Sequence, residues 1–304
     1  MFRHFEEIAE AAKQLPTKAR MAVAGAADEA VLESVLDALD GGIAEPVLVG
    51  EKEQISSLLI KLGRDPRQFD IVQASNGEEG QKAVELIRDG KASVLMKGMI
   101  ETRDILKPVV NKENGLRTGS VMSHVGFFDR VPGTDHFIIQ TDGGMLLYPT
   151  LEEKKAIIEN AVSALHALGN ECPKVAVLAA VEAVNPKMQE TVDADTLKQL
   201  NRAGEITGCM IEGPISYDLA MSRSIAEKKH FDCPYCGDFD ILVVPNIAAG
   251  NILGKCWTIT CNALLGGIVV GAKAPIVLTS RGSSAEEKFY SIAVAVLVAD
   301  GGNR

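Results

Sequence analysis

Short apolar and β-branched runs alternate with amphipathic stretches of about ten to fifteen residues along the first hundred positions. Strands are predicted at 20–24, 46–50, 69–72 and 92–96, and helices at 2–15, 29–39, 53–62 and 76–88. Alternation of this kind is typical of βαβ units, in which the strands lie parallel. The pattern therefore predicts an α/β protein with a mainly parallel sheet.

The pattern changes near position 117 and becomes that of a hairpin. Turn residues at 115–119 precede two strand-like segments, 121–125 and 136–142, which flank a turn at 131–135. A second series of βα units follows, so a domain boundary is predicted near 117. In that series, helices are predicted from Thr150 to Leu168 and from Lys255 to Leu265. Thr150 with Glu153 suggests a capping box at the first of them. Before the boundary, Thr102 is the predicted cap of the helix that follows the fourth strand.

The segment 274–284 concentrates groups that suit an anion. Ile276–Leu278 is predicted as a buried strand, followed by a hydroxyl-rich turn containing Ser280 and Arg281 and by a helix from 285 to 298. Ser283 or Ser284 serves as N-cap, with Glu286 or Glu287 in the capping-box position. Free N–H groups at a helix start bind anions, and a guanidinium fits phosphate oxygens. An ordinary turn with an exposed arginine is the alternative.

A second basic group follows the predicted fourth strand. Lys97, Arg103 and Lys107 lie at or just past its carboxyl end, where ligands bind in open parallel sheets. The alternative is a solvated basic face on the next helix.

Composition narrows the class of protein. The chain has 304 residues, 46% of them hydrophobic, and a net charge of −10, which argues against nucleic acid as a main partner. No apolar run reaches the length of about 18 residues that a membrane span needs. The first 20 residues lack the apolar core of a signal peptide, and the six cysteines suggest no disulfide framework. We therefore expect a soluble, cytoplasmic protein without membrane partners.

Several familiar motifs are incomplete. The turn at Gly25 has one of the three glycines of a dinucleotide fingerprint, and no nucleophile elbow is present. Cys233 and Cys236 have CxxC spacing, and His230 would add a third zinc ligand, but two free thiols in a surface loop are favoured. His124 either lines a cleft or is a packed, hydrogen-bonded side chain.

Taken together, these segments resemble the phosphate acetyl/butyryltransferase family. The resemblance rests on 237–255, 267–281 and 284–288, and 95–98, 111–119, 123–125 and 149–154 resemble its butyryltransferase branch in particular. It implies two α/β/α domains with mainly parallel sheets and an interdomain cleft, a fold similar to isocitrate and isopropylmalate dehydrogenases. The last segment returns to the first domain, giving 1–117 with 268–304 and 118–267.

The resemblance also implies an activity, the reversible transfer of a short acyl group, butyryl above all, between coenzyme A and inorganic phosphate. Coenzyme A is a substrate, and neither a metal nor a tightly bound cofactor is expected. A homodimer or higher homo-oligomer is the expected assembly. The alternatives are a phosphate acetyltransferase, a non-catalytic acyl-CoA-sensing domain, and a β-decarboxylating dehydrogenase, for which the DxxxD metal spacing is missing.

The roles of individual residues follow from the same resemblance. Glu287 stands where the family has a proposed aspartate base, with Glu286 as the alternative, and Lys107 stands where it has a phosphate-site arginine. Ser280 and Arg281 would orient the thiol and the acyl phosphate. The phosphate site is then expected to contain Lys97, Lys107 and Arg281, and the coenzyme A site Ser280, Asn246, Gly250 and Asn251.

Overall fold

The computed structural model describes residues 2–280 and 282–302. Its helices are α1 Phe5–Lys13, α2 Glu29–Asp40, α3 Lys52–Lys61, α4 Glu79–Arg88, α5 Thr102–Val109, α6 Leu151–Ala167, α7 Gln189–Arg202, α8 Tyr217–Met221, α9 Arg223–Lys228, α10 Ile247–Lys255 and α11 Ala285–Gly301. Its strands are β1 Ala19–Ala24, β2 Ala44–Gly50, β3 Asp70–Gln73, β4 Val94–Lys97, β5 Ser123–Asp129, β6 Ile138–Thr141, β7 Lys174–Leu178, β8 Met210–Ile215, β9 Ile241–Val243, β10 Leu264–Val270 and β11 Ile276–Val277.

These elements pack into two compact units. Unit A comprises Glu6–Ser120 and the chain from Gly266 onwards, and unit B comprises Val121–Leu265 with the start of the chain up to Phe5. The domain boundaries expected near 117 and 267 stay predictions, since compactness alone does not show that a unit folds by itself.

The sheet of unit A has the strand order β3-β2-β1-β4-β11-β10. Its strands pair in parallel except β10, which runs antiparallel to β11. The middle strand β1 is buried from Met21 to Ala24, and α11 packs against α2 and β11. Most of α11 is apolar and buried, so the C-terminal helix completes the core of this unit.

The sheet of unit B has the strand order β5-β6-β9-β7-β8. β5 and β6 form the predicted antiparallel hairpin, and the other pairs are parallel. Around it, a hydrophobic cluster includes Phe128, Phe239 and Trp257. The sequence prediction of an α/β fold with mainly parallel sheets is thus confirmed.

Helix starts follow the capping residues. Thr150 accepts from the Glu153 N–H and the Glu153 side chain accepts from the Thr150 N–H, which confirms the predicted capping box. At α5 the N-cap is Glu101, so the assignment of Thr102 as cap was wrong by one residue.

No helix of the described ranges is long and apolar enough to cross a membrane.

The predicted helix from Lys255 to Leu265 is wrong. α10 begins earlier, at Ile247, because the Asn246 side chain accepts the Ala249 N–H at 3.0 Å and so provides an N-cap. The helix ends at Lys255 in a short π-helical turn, Cys256–Thr260, and Leu264 then starts β10. Asn262, with a φ of 56°, adopts the left-handed conformation that stops a helix.

Candidate active site

Three strands of unit A end at the same edge of the sheet. β4 lies between β1 and β11 in parallel, with Ala24 beside Lys97 and Val277 beside Met96. The chain leaving β11 towards Ser280 therefore emerges next to the chain leaving β4 at Lys97. Open parallel sheets bind their ligands at this carboxyl edge.

Lys97 is held in place at that edge by its own loop. Its side chain is largely buried, and Nζ donates to the carbonyl oxygens of Gly98 and Ile100, each at 3.2 Å. The ammonium group is thus positioned by backbone rather than left to move in solvent. Gly98 packs directly on the β1 turn, because a Cβ there would lie 2.3 Å from the Gly25 carbonyl oxygen.

We expect Gly98→Ala to lower the free energy of unfolding by about 1–3 kcal/mol, because the new methyl group must displace backbone atoms of the β1 turn. Urea denaturation followed by circular dichroism measures the change. Gly302→Ala, the same substitution at the end of α11, is the control: its Cβ would meet only the Val298 and Ala299 carbonyl oxygens, at 3.3 and 4.0 Å. Equal effects of both changes would contradict the close packing of Gly98.

The turn before α11 is ordered by hydroxyl groups. The Ser280 hydroxyl accepts the Gly282 N–H at 3.3 Å, and the Ser280 carbonyl accepts the Ser283 N–H at 3.1 Å. Ser284 is the N-cap, since its Oγ accepts the Glu287 N–H at 3.0 Å. Of the two cap residues considered from the sequence, Ser284 therefore has this role.

Ser283 has a different partner, the Glu287 carboxylate. Its hydroxyl donates to Glu287 Oε1 at 2.6 Å. Burial raises the pKa of Glu287, and the Ser283 hydrogen bond and the Lys288 charge oppose that rise. A carboxyl with a raised pKa is a stronger base than an exposed one, as general-base catalysis requires. Glu286, by contrast, is exposed.

The other two phosphate-site candidates are Lys107 and Arg281. Lys107 is exposed in the last turn of α5, and at 1.5 Å per residue it lies about 7–8 Å along the helix from Thr102. Arg281 lies outside the described residues. The expected roles of Lys107 and Arg281 at a phosphate stay predictions.

The coenzyme A candidates of unit B lie in the first turn and a half of α10. Asn246 uses Oδ1 for the cap, and Asn251 is exposed. Gly250 is buried, and a Cβ there would lie 2.5 Å from Gln140 Nε2 and 2.7 Å from the Gly143 Cα atom. Close packing therefore accounts for glycine at 250, and ligand contacts of the three residues stay predictions.

Two polar side chains of unit B have buried atoms without a hydrogen-bond partner, Gln140 Nε2 and His124 Nδ1. Burial lowers the pKa of His124, and the nearby Asp142 opposes this. The Asp142 carboxylate itself accepts N–H groups from the following loop, including that of Gly144 at 2.7 Å. Sequence reasoning did not single out Gln140, because one glutamine in an apolar strand carries no signal of its surroundings.

Cys236, the buried cysteine of the CxxC pair, is poorly suited to form a thiolate. Cys236 is buried in the hydrophobic cluster, and burial raises the pKa of its thiol to about 12. The expectation of two thiols in a surface loop is therefore wrong for Cys236, although both cysteines are free. Within residues 2–280 and 282–302, no three histidine, cysteine or acidic side chains are grouped so that they could hold a metal ion.

These features describe an α/β protein in which a hydroxyl-rich strand–helix turn, a partly buried carboxylate and a fixed lysine occur in one unit. The chain belongs to the family described as Phosphate acetyl/butaryl transferase, whose profile matches residues 57–296. The resemblance seen in the sequence motifs is thereby confirmed.

Relatives with assigned names extend over nearly the whole chain. A phosphate butyryltransferase of Clostridium acetobutylicum is 45% identical over 300 residues, 98% of this chain and 99% of that protein. A phosphate acetyltransferase of Thermotoga maritima is 40% identical over 280 residues, 92% of this chain and 95% of that protein. The chain is therefore similar to members of both branches.

Solved structures agree with the family assignment. The crystal structure of a branched-chain phosphotransacylase from Enterococcus faecalis V583 matches with a TM-score of 0.80 and 32% identity, covering 92% of this chain and 99% of that one. A 4-hydroxythreonine-4-phosphate dehydrogenase from Burkholderia phymatum matches with a TM-score of 0.56 at 13% identity, covering 93% and 98%. The second match shows a shared fold alone.

Proposed function

We propose that the protein transfers a short acyl group reversibly between coenzyme A and inorganic phosphate, with butyryl preferred. Family membership supports the reaction class, and relatives named phosphate butyryltransferase support the acyl group. The observation in this chain that carries the mechanism is the Glu287 carboxylate, which has a raised pKa and a Ser283 hydrogen bond at the start of α11.

In the direction that consumes coenzyme A, Glu287 accepts the thiol proton. The thiolate attacks the carbonyl carbon of the acyl phosphate, a C–S bond forms, and the C–O bond to phosphate breaks. Phosphate leaves with the electron pair of that bond and takes up the proton from Glu287, directly or through solvent, which regenerates the carboxylate. In the reverse direction, a phosphate oxygen attacks the thioester, the phosphate proton passes to Glu287, and Glu287 gives it to the departing thiolate.

Cationic groups then have the task of stabilising negative charge on the phosphate. Arg281 provides a planar fork for two oxygens, and Lys97 and Lys107 provide point charges. Ser280 orients the thiol and the acyl phosphate, and Asn246, Gly250 and Asn251 contact coenzyme A. No metal or tightly bound cofactor takes part, and the enzyme acts in the cytoplasm as a homodimer or higher homo-oligomer.

Incubation of the protein with butyryl-CoA and phosphate should release free coenzyme A, measured with a chromogenic thiol reagent. Release must depend on phosphate, so the same mixture without phosphate is the control. Acetyl-CoA in place of butyryl-CoA tests the acetyltransferase alternative. If acetyl-, propionyl- and butyryl-CoA are all bound but none is turned over, the enzymatic proposal is wrong and the acyl-CoA-sensing alternative is supported.

A further inference from the structure

Unit B contains an apolar cavity of about 230 Å³ that is largely open to solvent. Nearly all of its lining is apolar, and it is formed by side chains from four separate segments: Leu178, Ala179, Tyr217, Val244, Pro245, Ala249 and Leu253. No charged side chain lines it. A space of this kind can hold hydrocarbon without leaving a polar group unpaired.

The cavity lies at the carboxyl edge of the sheet of unit B. Leu178 ends β7, Val244 directly follows β9, and Tyr217 is the first residue of α8, just past β8. These three strands are parallel, so their ends meet at the edge where ligands of open α/β sheets bind.

One wall of the cavity belongs to α10. Ala249 and Leu253 are spaced i and i+4, so they share one face of this helix. The same helix starts at Asn246, which we have proposed as a coenzyme A contact. An apolar space therefore adjoins the segment proposed to hold the carrier of the acyl group.

We propose that this cavity receives the hydrocarbon chain of the acyl group, with Ala249 and Leu253 setting the chain length that is accepted. The assignment rests on the proposed function. An engineered apolar cavity of about 150 Å³ takes up benzene, a six-carbon ligand. The present cavity is larger, so a four-carbon acyl chain fits.

Tyr217, one of the residues that line the cavity, is hydrogen-bonded to a buried tryptophan. Tyr217 accepts a hydrogen bond from Trp257 Nε1 at 3.0 Å, and Trp257 packs edge-on against Phe128 with ring centroids 4.9 Å apart. Trp257 is buried, so this hydrogen bond positions the Tyr217 hydroxyl, although Tyr217 itself is 39% exposed. On α10, the small Ala249 leaves space that a larger side chain would fill.

Burial of hydrocarbon gives the expected selectivity. Each methylene removed from water favours binding about fourfold, so butyryl should be preferred over acetyl by about 15-fold. A dicarboxylic chain such as succinyl should be rejected, since its second carboxylate would lose its hydration without gaining a partner.

Ala249→Leu tests the assignment by filling the cavity. Its kcat/KM for butyryl-CoA should fall by about 10-fold or more, while its kcat/KM for acetyl-CoA stays within about threefold, which reverses or abolishes the preference. Leu253→Ala should shift the preference towards hexanoyl-CoA. Ala248→Leu is the matched control, because it adds the same atoms at the exposed position directly before Ala249 in α10. It should leave the butyryl-to-acetyl ratio unchanged.

Calorimetric titration of acyl-CoA binding gives a second readout that does not need turnover. Loss of the butyryl preference in Ala249→Leu but not in Ala248→Leu supports the assignment, even if thiol release fails and the proposed reaction is wrong. Turnover with an unchanged preference in Ala249→Leu, or an equal loss for acetyl-CoA and butyryl-CoA, overturns the cavity assignment and leaves the proposed reaction intact.

Discussion

Replacing Glu287 with glutamine should lower kcat for the coenzyme A-consuming direction at neutral pH, by less than the roughly 100- to 10,000-fold that loss of a general base typically costs, because free coenzyme A already ionises slightly. Glutamine keeps the size of the side chain and can still accept the Ser283 hydrogen bond through its carbonyl oxygen. It cannot accept the thiol proton. Steady-state assays with butyryl phosphate and coenzyme A measure the loss, and the Michaelis constant for coenzyme A should change little.

The pH dependence distinguishes a base from a structural group. Burial raises the pKa of Glu287, so the wild-type rate should fall as pH drops through that raised pKa and the carboxylate becomes protonated. In Glu287→Gln this limb should be absent. The variant's rate should instead climb with pH as free coenzyme A, a thiol with a pKa of about 8.5, ionises in solution.

Glu286→Gln is the matched control, because the next residue on a helix points about 100° away. Glu286 is exposed, and its substitution should leave kcat and the pH profile as in the wild type. An exchange of the two behaviours would make Glu286 the base. If neither variant is impaired, solvent or another group must take the thiol proton.

Local patterns predicted the parts of the fold that local interactions decide. The Thr150–Glu153 capping box, the β5–β6 hairpin and the parallel strands all leave a signature within a few residues of sequence. The prediction failed around α10. Gly250 and Gly254 weaken the helical pattern there, and the helix is stabilised by its Asn246 cap and by tertiary packing.

The candidate site, too, has parts that local sequence patterns predicted and parts that they did not. Ser283, Ser284 and Glu287 were all recognised from the strand–turn–helix pattern, and the structure then separated the cap, Ser284, from the carboxylate partner, Ser283. The unpartnered Gln140 and the apolar cavity could not be recognised. Both arise where segments distant in sequence meet, so no single stretch of the chain records them.

The geometry of the cationic group at the phosphate should affect the rate as well as its charge. We expect Arg281→Lys to lower kcat by one to a few orders of magnitude, because a point charge replaces a planar fork that can donate to two phosphate oxygens at once. The loss should appear in both directions of the reaction, since the same developing charge is stabilised in each. Initial rates of thiol release and thiol consumption measure it.

Arg67→Lys is the control for the Arg281 substitution, because Arg67 is an exposed residue of unit A paired with Asp65 in the short turn before β3. It keeps the protein's charge and should leave both rates unchanged. Raising the phosphate concentration separates binding from chemistry in Arg281→Lys. A deficit that persists at saturating phosphate indicates lost transition-state stabilisation, whereas one that disappears indicates weaker ground-state binding alone. Wild-type kinetics in Arg281→Lys would place the phosphate site elsewhere, with the lysines at 97 and 107 as the groups to test next.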